Sequence, residues 1–282
     1  MRRAIISDEI SQDLPTAARL AAELGFEGLE LRSIDGVPPH LLDDGQLRAA
    51  RAVLDEYSLR AAGFCPPGLK HPVPLDAADH AASRRVVERA LAQAALLGAG
   101  HVRIFSFYRD GEADPVGAAR VARRVLDGLE WPDGVRLVLE TGTRSNTPTL
   151  RLALRFLEEL GDARIGLLWD PGNTVFSGFD PEPFPGDFEA AASLIRHVHV
   201  KDPAGRTGYV RLGAGDLPWP SILAALKAHG YDGWVSLETH WRLDRTLTGP
   251  ERDEPWGAGI SAGGVEASRT CMEVLNGWWS GV

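Results

Sequence analysis

Cysteine is nearly missing from this chain. Cys65 and Cys271 are the two in 282 residues, and their wide separation excludes a disulfide framework. No apolar run approaches the roughly 18–20 residues of a membrane span. Met1-Arg2-Arg3 passes straight into a strand-like AIIS, with no apolar signal region behind it. A cytoplasmic location, where thiols stay reduced, is therefore expected. A basic excess is lacking too. With 30 Lys and Arg against 39 Asp and Glu, the net charge of −9 repels phosphate backbones and anionic membranes. Neither nucleic acid nor a membrane is expected as a partner. There is no low-complexity tract and no short internal repeat.

What is present suits one sizeable core. The chain is 44% hydrophobic and 24% charged, an ordinary globular balance. Eight strand candidates can be read, at 4–9, 27–32, 59–64, 101–107, 135–140, 164–170, 195–200 and 233–239. Helical patterns fall at 15–24, 46–57, 76–97, 114–129, 148–160, 187–193 and 217–229, with a last one over 265–279. Asp13-Leu14-Pro15 and Asp114-Pro115 set an acid just ahead of a proline tolerated in the first helical turn. Glycine stops close several helices, as in LLGAG and ELGD.

Eightfold strand–helix alternation predicts an α/β fold, a single (β/α)8 TIM barrel over residues 1–282. An open doubly wound sheet would carry a glycine-rich phosphate loop after its first strand, and SDEISQD is not one. Two loops are long: CPPGLKHPVPLD after the third strand, and residues 242–264 after the eighth. Both belong at the C-terminal face of such a barrel, where active sites sit, and loops of this length serve as lids or contacts.

Four chemically active side chains close apolar runs in the second half. They are Glu140 (RLVLETG), Asp170 (IGLLWDPGN), His199 (IRHVHVKD) and Glu238 (WVSLETHW), at spacings of 30, 29 and 39 residues. Each spacing accommodates one strand, one helix and two loops. Successive strand ends can therefore aim three carboxylates and one imidazole at a common centre, which outlines a site for one divalent metal ion. The donor set is hard and oxygen-rich, suited to Mn²⁺, Mg²⁺ or Co²⁺, with Zn²⁺ also compatible.

Alternation along strands fixes which side chains share a face. With Glu238 inward, Ser236 and His240 are inward as well, while Val235 and Leu237 face helices. With His199 inward come His197 and Lys201, and Glu140 and Asp170 bring Val138 and Leu168. Glu30, Arg32 and Arg103 also fall inside, where charges must be paired, and a Glu30–Arg103 pair is expected.

At these residues the chain resembles the xylose-isomerase-like superfamily of TIM barrels, with HVHVKD and GYDGWVSLETHW as its most characteristic stretches. Members include sugar isomerases, ketose 3-epimerases, inosose and dehydroshikimate dehydratases, and the endonuclease IV type of DNA-repair enzyme. The resemblance implies that Glu140, Asp170, His199 and Glu238 hold the metal. Epimerases and nucleases carry a His three residues after the sixth-strand acid. This chain has Asn173 there, which can hydrogen-bond a hydroxyl but does not serve as an acid or base at neutral pH.

The expected activity is a metal-dependent isomerase or epimerase acting on a small sugar or sugar derivative by proton transfer next to a carbonyl. Glu140 and Glu238 are the expected acid and base. The alternative is a lyase of the same fold, inosose-dehydratase-like or eliminating from a 3-keto sugar. A nuclease needs further His ligands and a basic groove, against which the net charge argues. Asn173, Lys201, Arg206 and His240 are expected to contact the carbohydrate, with Phe107, Phe105 and Trp241 as aromatic walls. Assembly as a homodimer or tetramer through helical faces is also expected.

Overall fold

A computed structural model describes residues 1–281; Val282, the last residue of the expected domain, lies outside the described residues. Eight parallel strands close into a barrel. They are β1 (Arg2–Ile6), β2 (Gly28–Leu31), β3 (Arg60–Gly68), β4 (His101–Ile104), β5 (Arg136–Glu140), β6 (Ile165–Trp169), β7 (Ile195–Val200) and, last in the chain, β10 (Trp234–Leu237). Each pairs with its neighbours in sequence order, and β1 pairs with β10 to seal the barrel. Between β7 and β10 lies a small antiparallel hairpin, β8 (Asp202–Ala204) and β9 (Gly208–Val210).

The outer ring is formed by helices α2 (Leu14–Glu23), α3 (Asp44–Glu56), α4 (Ala77–Leu97), α5 (Pro115–Leu126), α6 (Leu150–Leu160), α8 (Gly186–Ala191), α9 (Trp219–Ala228) and α12 (Gly264–Trp279). Four short helices sit in loops: α1 (Ser7–Ile10), α7 (Pro171–Ser177), α10 (Gly249–Asp253) and α11 (Ala258–Ser261). Among the described residues no helix is long and apolar enough to cross a membrane.

The helices begin and end for local reasons. In α6, Thr149 accepts the Leu152 N–H and Gly161 closes the helix at φ 70°, a left-handed position that glycine adopts without steric cost. Leu150, Ala153, Phe156 and Leu160 recur at three to four residues and bury one face of that helix. The main core lies between this ring and the outward faces of the strands. Leu137, Leu139, Leu167, Trp169, Val198, Val200, Val235 and Leu237 all belong to it. The intervening strand residues point inside, so the alternation read from the sequence holds on β5, β6, β7 and β10.

Several boundaries differ from expectation. The first strand stops at Ile6, and residues expected to extend it coil into α1. The third strand continues to Gly68 through Pro66 and Pro67, with its pairing to β4 shifted between Phe64 and Gly68. The fourth stops at Ile104 instead of running to 107. Residues 242–264 are not one open loop but contain α10 and α11. Neither α7 nor the hairpin was legible in advance.

Candidate metal centre

The four strand-end residues converge. One donor atom from each of Glu140, Asp170, His199 and Glu238 lies within 4.8 Å of the others, and all four side chains are buried. Nδ1 of His199 stands 3.6 Å from Glu238 Oε2, 3.7 Å from Asp170 Oδ2 and 3.9 Å from Glu140 Oε1. Those separations are too long for hydrogen bonds. Nδ1 of His199 has no hydrogen-bond partner among the described residues, whereas Asp170 Oδ2 and Glu140 Oε2 are met by the Lys201 and Arg103 cations at 2.7 and 3.2 Å. A buried polar atom is rarely left so, and an unpartnered imidazole nitrogen among three converging carboxylates fits a shared cation. The donor set and this orphaned nitrogen therefore suit a divalent metal ion.

The opposite nitrogen of His199 is held from behind. Nε2 lies 3.1 Å from both oxygens of Glu30, and His197 Nε2 lies 2.9 Å from Glu30 Oε2. A carboxylate behind an imidazole fixes the ring and leaves its other nitrogen free to ligate. Burial would raise the Glu30 pKa, but His197 and then His199 hold it well below the usual carboxylate range. The expected Glu30–Arg103 pair is thus corrected. Arg103 instead lies 3.2 Å from Glu140 Oε2. Alternation along a strand gives the side a residue faces, not its height in the barrel, and the β2–β3 register shifts where Leu29 pairs with Ala61 but Glu30 with Gly63.

Lys201 stands inside the cluster. Its ammonium is 2.7 Å from Asp170 Oδ2 and in contact with Glu238. Burial alone would lower its pKa, yet Asp170 and Glu238 hold it well above that of an ordinary lysine. Glu238 is tied further to Arg32, 2.7 Å away. Burial would raise the Glu238 pKa, but Lys201, His240, His199 and Arg32 together keep it far below the usual carboxylate range. Gly172 makes room for Lys201, since a Cβ there would come within 2.7 Å of the lysine stem.

A partly open cavity of about 50 Å³ adjoins the cluster. Glu140, Glu238, Asn173, Lys201, His240 and Phe105 all line it. Asn173 donates to Glu140 Oε1 at 2.8 Å and accepts the Tyr209 hydroxyl at 3.1 Å. His240, at a left-handed φ of 45°, is 2.7 Å from Glu9 Oε1 and 3.8 Å from Glu238 Oε1.

Three expected substrate contacts fall outside the cavity lining. Arg206 is exposed on the hairpin turn, its stem beside Gly178. Phe107 is buried edge-on to His71, with ring centres 5.3 Å apart. Trp241 packs against the core. All three follow the end of regular strand geometry, where alternation no longer predicts direction.

Other residues of the site escaped the sequence reading. Asp8 and Glu9 on α1 take Nε and Nη2 of Arg32 at 2.9 and 2.8 Å, and so orient the arginine that holds Glu238. Tyr209 comes from the hairpin, stacked on Phe176 with ring centres 5.1 Å apart. Lys70, Arg144 and Arg252 reach the cavity from loops. Two adjacent acids directly after the first strand were the one sequence signal available for Asp8 and Glu9.

This barrel, with its metal-suited quartet at the carboxyl ends of β5, β6, β7 and β10, defines a class. The chain belongs to the xylose isomerase-like TIM barrel family, whose sequence model matches residues 18–262. Among its relatives is the rhizopine catabolism protein MocC of Rhizobium meliloti, 28% identical over 265 residues, which cover 82% of this chain and 76% of that protein. The inosose dehydratase of Geobacillus thermodenitrificans (strain NG80-2) is 28% identical over 131 residues, 40% of this chain and 43% of its own length. Among solved structures, D-allulose 3-epimerase from Methylomonas sp. superposes with a TM-score of 0.74 at 19% identity, covering 99% of this chain and 98% of that one. That last likeness is one of fold.

Proposed function

We propose that this protein is a divalent-metal-dependent isomerase or epimerase acting on a small sugar or sugar derivative by proton transfer next to a carbonyl. The observation that carries the reading is the convergent quartet beside the cavity, three carboxylates around the unpartnered Nδ1 of His199. Glu140, Asp170, His199 and Glu238 would hold the ion, which when bound acts as a Lewis acid toward the substrate's carbonyl and hydroxyl oxygens.

The chain's own residues supply the proton chemistry. Glu140 and Glu238 line the same cavity from β5 and β10, with β6 and β7 between them. One takes the proton from the carbon beside the carbonyl, and the C–H electron pair becomes the double bond of an enediolate. The other returns a proton to the opposite face, which inverts that carbon, and delivery to the former carbonyl carbon isomerises the sugar instead. Lys201, kept charged by its acidic neighbours, donates toward the oxygen on which negative charge grows. Asn173 and His240 supply hydrogen bonds to substrate hydroxyls. The low pKa of Glu238 keeps it ionised, ready to accept a proton as substrate displaces its cationic partners.

The relation to an inosose dehydratase favours one second reading. The same enediolate, losing hydroxide from the next carbon with a proton to form water, gives an enone. Incubation of Mn²⁺-supplemented protein with a panel of ketoses and inososes in D₂O separates the two. Deuterium at the carbon beside the carbonyl, with an epimer or isomer as product, supports the leading reading. An ultraviolet enone band without epimer supports the lyase, and no exchange with any member of the panel counts against both.

A further inference from the structure

The charge balance inside the cavity runs opposite to that of the chain. Acids outnumber bases 39 to 30 overall, yet six Lys and Arg line the cavity against three acids. Most of these cations are answered. Arg32 pairs with Asp8, Glu9 and Glu238, Arg103 with Glu140, and Lys201 with Asp170 and Glu238. Arg144 reaches Asp253 at 3.1 Å.

Among the described residues Lys70 and Arg252 have no carboxylate hydrogen-bonded to them. Lys70 donates to the backbone carbonyl of Asp253 and stands 5.3 Å from the centre of the Phe105 ring. Arg252 donates to the carbonyl of Leu247 and lies 5.3 Å from the centre of the Phe176 ring. Arg252 precedes Asp253 in α10, and Lys70 reaches that helix through the Asp253 carbonyl, so the two long loops touch beside the cavity that both cations line. Arg103 shares the Phe105 ring with Lys70, at 5.0 Å, and links this end of the cavity to Glu140 and the quartet. Burial, and then repulsion from Arg103, bring the Lys70 pKa down to about 8, as befits an ammonium short of counter-charge.

We propose that Lys70 and Arg252 form an anion subsite, and that the substrate is a small polyhydroxy carbonyl compound bearing a carboxylate or phosphate at the end remote from the quartet. The inference rests on the sugar-transforming reading of the site and narrows its substrate class. An acid group there exchanges two carbonyl contacts for charge-assisted hydrogen bonds inside a partly desolvated cavity.

Calorimetric titration of the full-length protein at constant ionic strength tests this with inorganic phosphate, malonate and neutral erythritol as probes. Saturable binding of an anion, without binding of erythritol in the same range, is expected. Lys70→Met and Arg252→Met should each weaken it by about tenfold or more, while Lys70→Arg retains it. The anion that binds tighter identifies the acid group. Absence of saturable anion binding, affinity unchanged in both Met variants, or equal loss in Lys70→Arg and Lys70→Met overturns the subsite. The outcomes stay separate from those of the D₂O assay. Anion binding without exchange keeps the subsite and removes the reaction, whereas exchange of neutral ketoses without anion binding does the reverse.

Discussion

Asp170 performs two tasks with two oxygens. Oδ1 accepts the Asn173 N–H at 2.9 Å and caps α7, while Oδ2 faces the quartet. Substitution separates them. Asp170→Asn keeps a capping oxygen and removes the charge, so it should abolish metal binding and weaken the buried pair with Lys201 while sparing the cap. Asp170→Ala removes both and should unfold about 1 kcal/mol more easily than the Asn variant in chelator-treated samples. Equal denaturation midpoints for the two variants would contradict the cap. At this scale much was readable from the chain. An acid or imidazole closing a Val/Ile/Leu run stands out because both faces of a parallel strand are buried and a polar residue there needs a reason. Arg206, Phe107 and Trp241 lie away from the cavity lining for a physical reason: each lies beyond a strand end. Phe107 and His240, just ahead of Trp241, have left-handed backbones that redirect the chain.

The hairpin is the element that builds most of the site beyond the barrel strands. It carries Tyr209 onto Asn173 and places Lys201, just ahead of β8, against the cluster. Asp202 anchors it by accepting backbone N–H groups from Gly213 and Gly215 on one oxygen and from Leu217 on the other. Gly215 permits this approach, since a Cβ there would lie 2.4 Å from the Pro203 carbonyl. Asp202→Ala leaves three donors without their acceptor and should cost about 2–4 kcal/mol, measured by urea unfolding. A change under about 0.5 kcal/mol, the usual range for an inconsequential surface substitution, would show that the loop does not depend on it. Neither the hairpin nor α7 was legible, because three-residue strands and a seven-residue helix are too short to display a period. The long loops were recognised by length alone. What they deliver, Lys70 from one and Arg252 from the other, depends on how they pack against each other, which local pattern does not encode.

For the whole molecule, the eightfold alternation carried the architecture, because each outward strand face must find a helix and only closure leaves no edge unpaired. The closed barrel then brings residues from β5, β6, β7 and β10, scattered over a hundred positions, into one cluster. The proposed chemistry depends on that cluster holding a metal ion. The direct measurement is elemental analysis of the purified protein and of Glu238→Gln, joined to thermal unfolding with Mn²⁺, Mg²⁺, Co²⁺ and Zn²⁺. An ion that binds only the folded chain stabilises it by about 2.7 kcal/mol at a hundred times its dissociation constant. The predicted result is near one divalent ion per chain with metal-dependent stabilisation, both weakened in the variant. No bound ion and no stabilisation by any of the four metals would contradict the central claim.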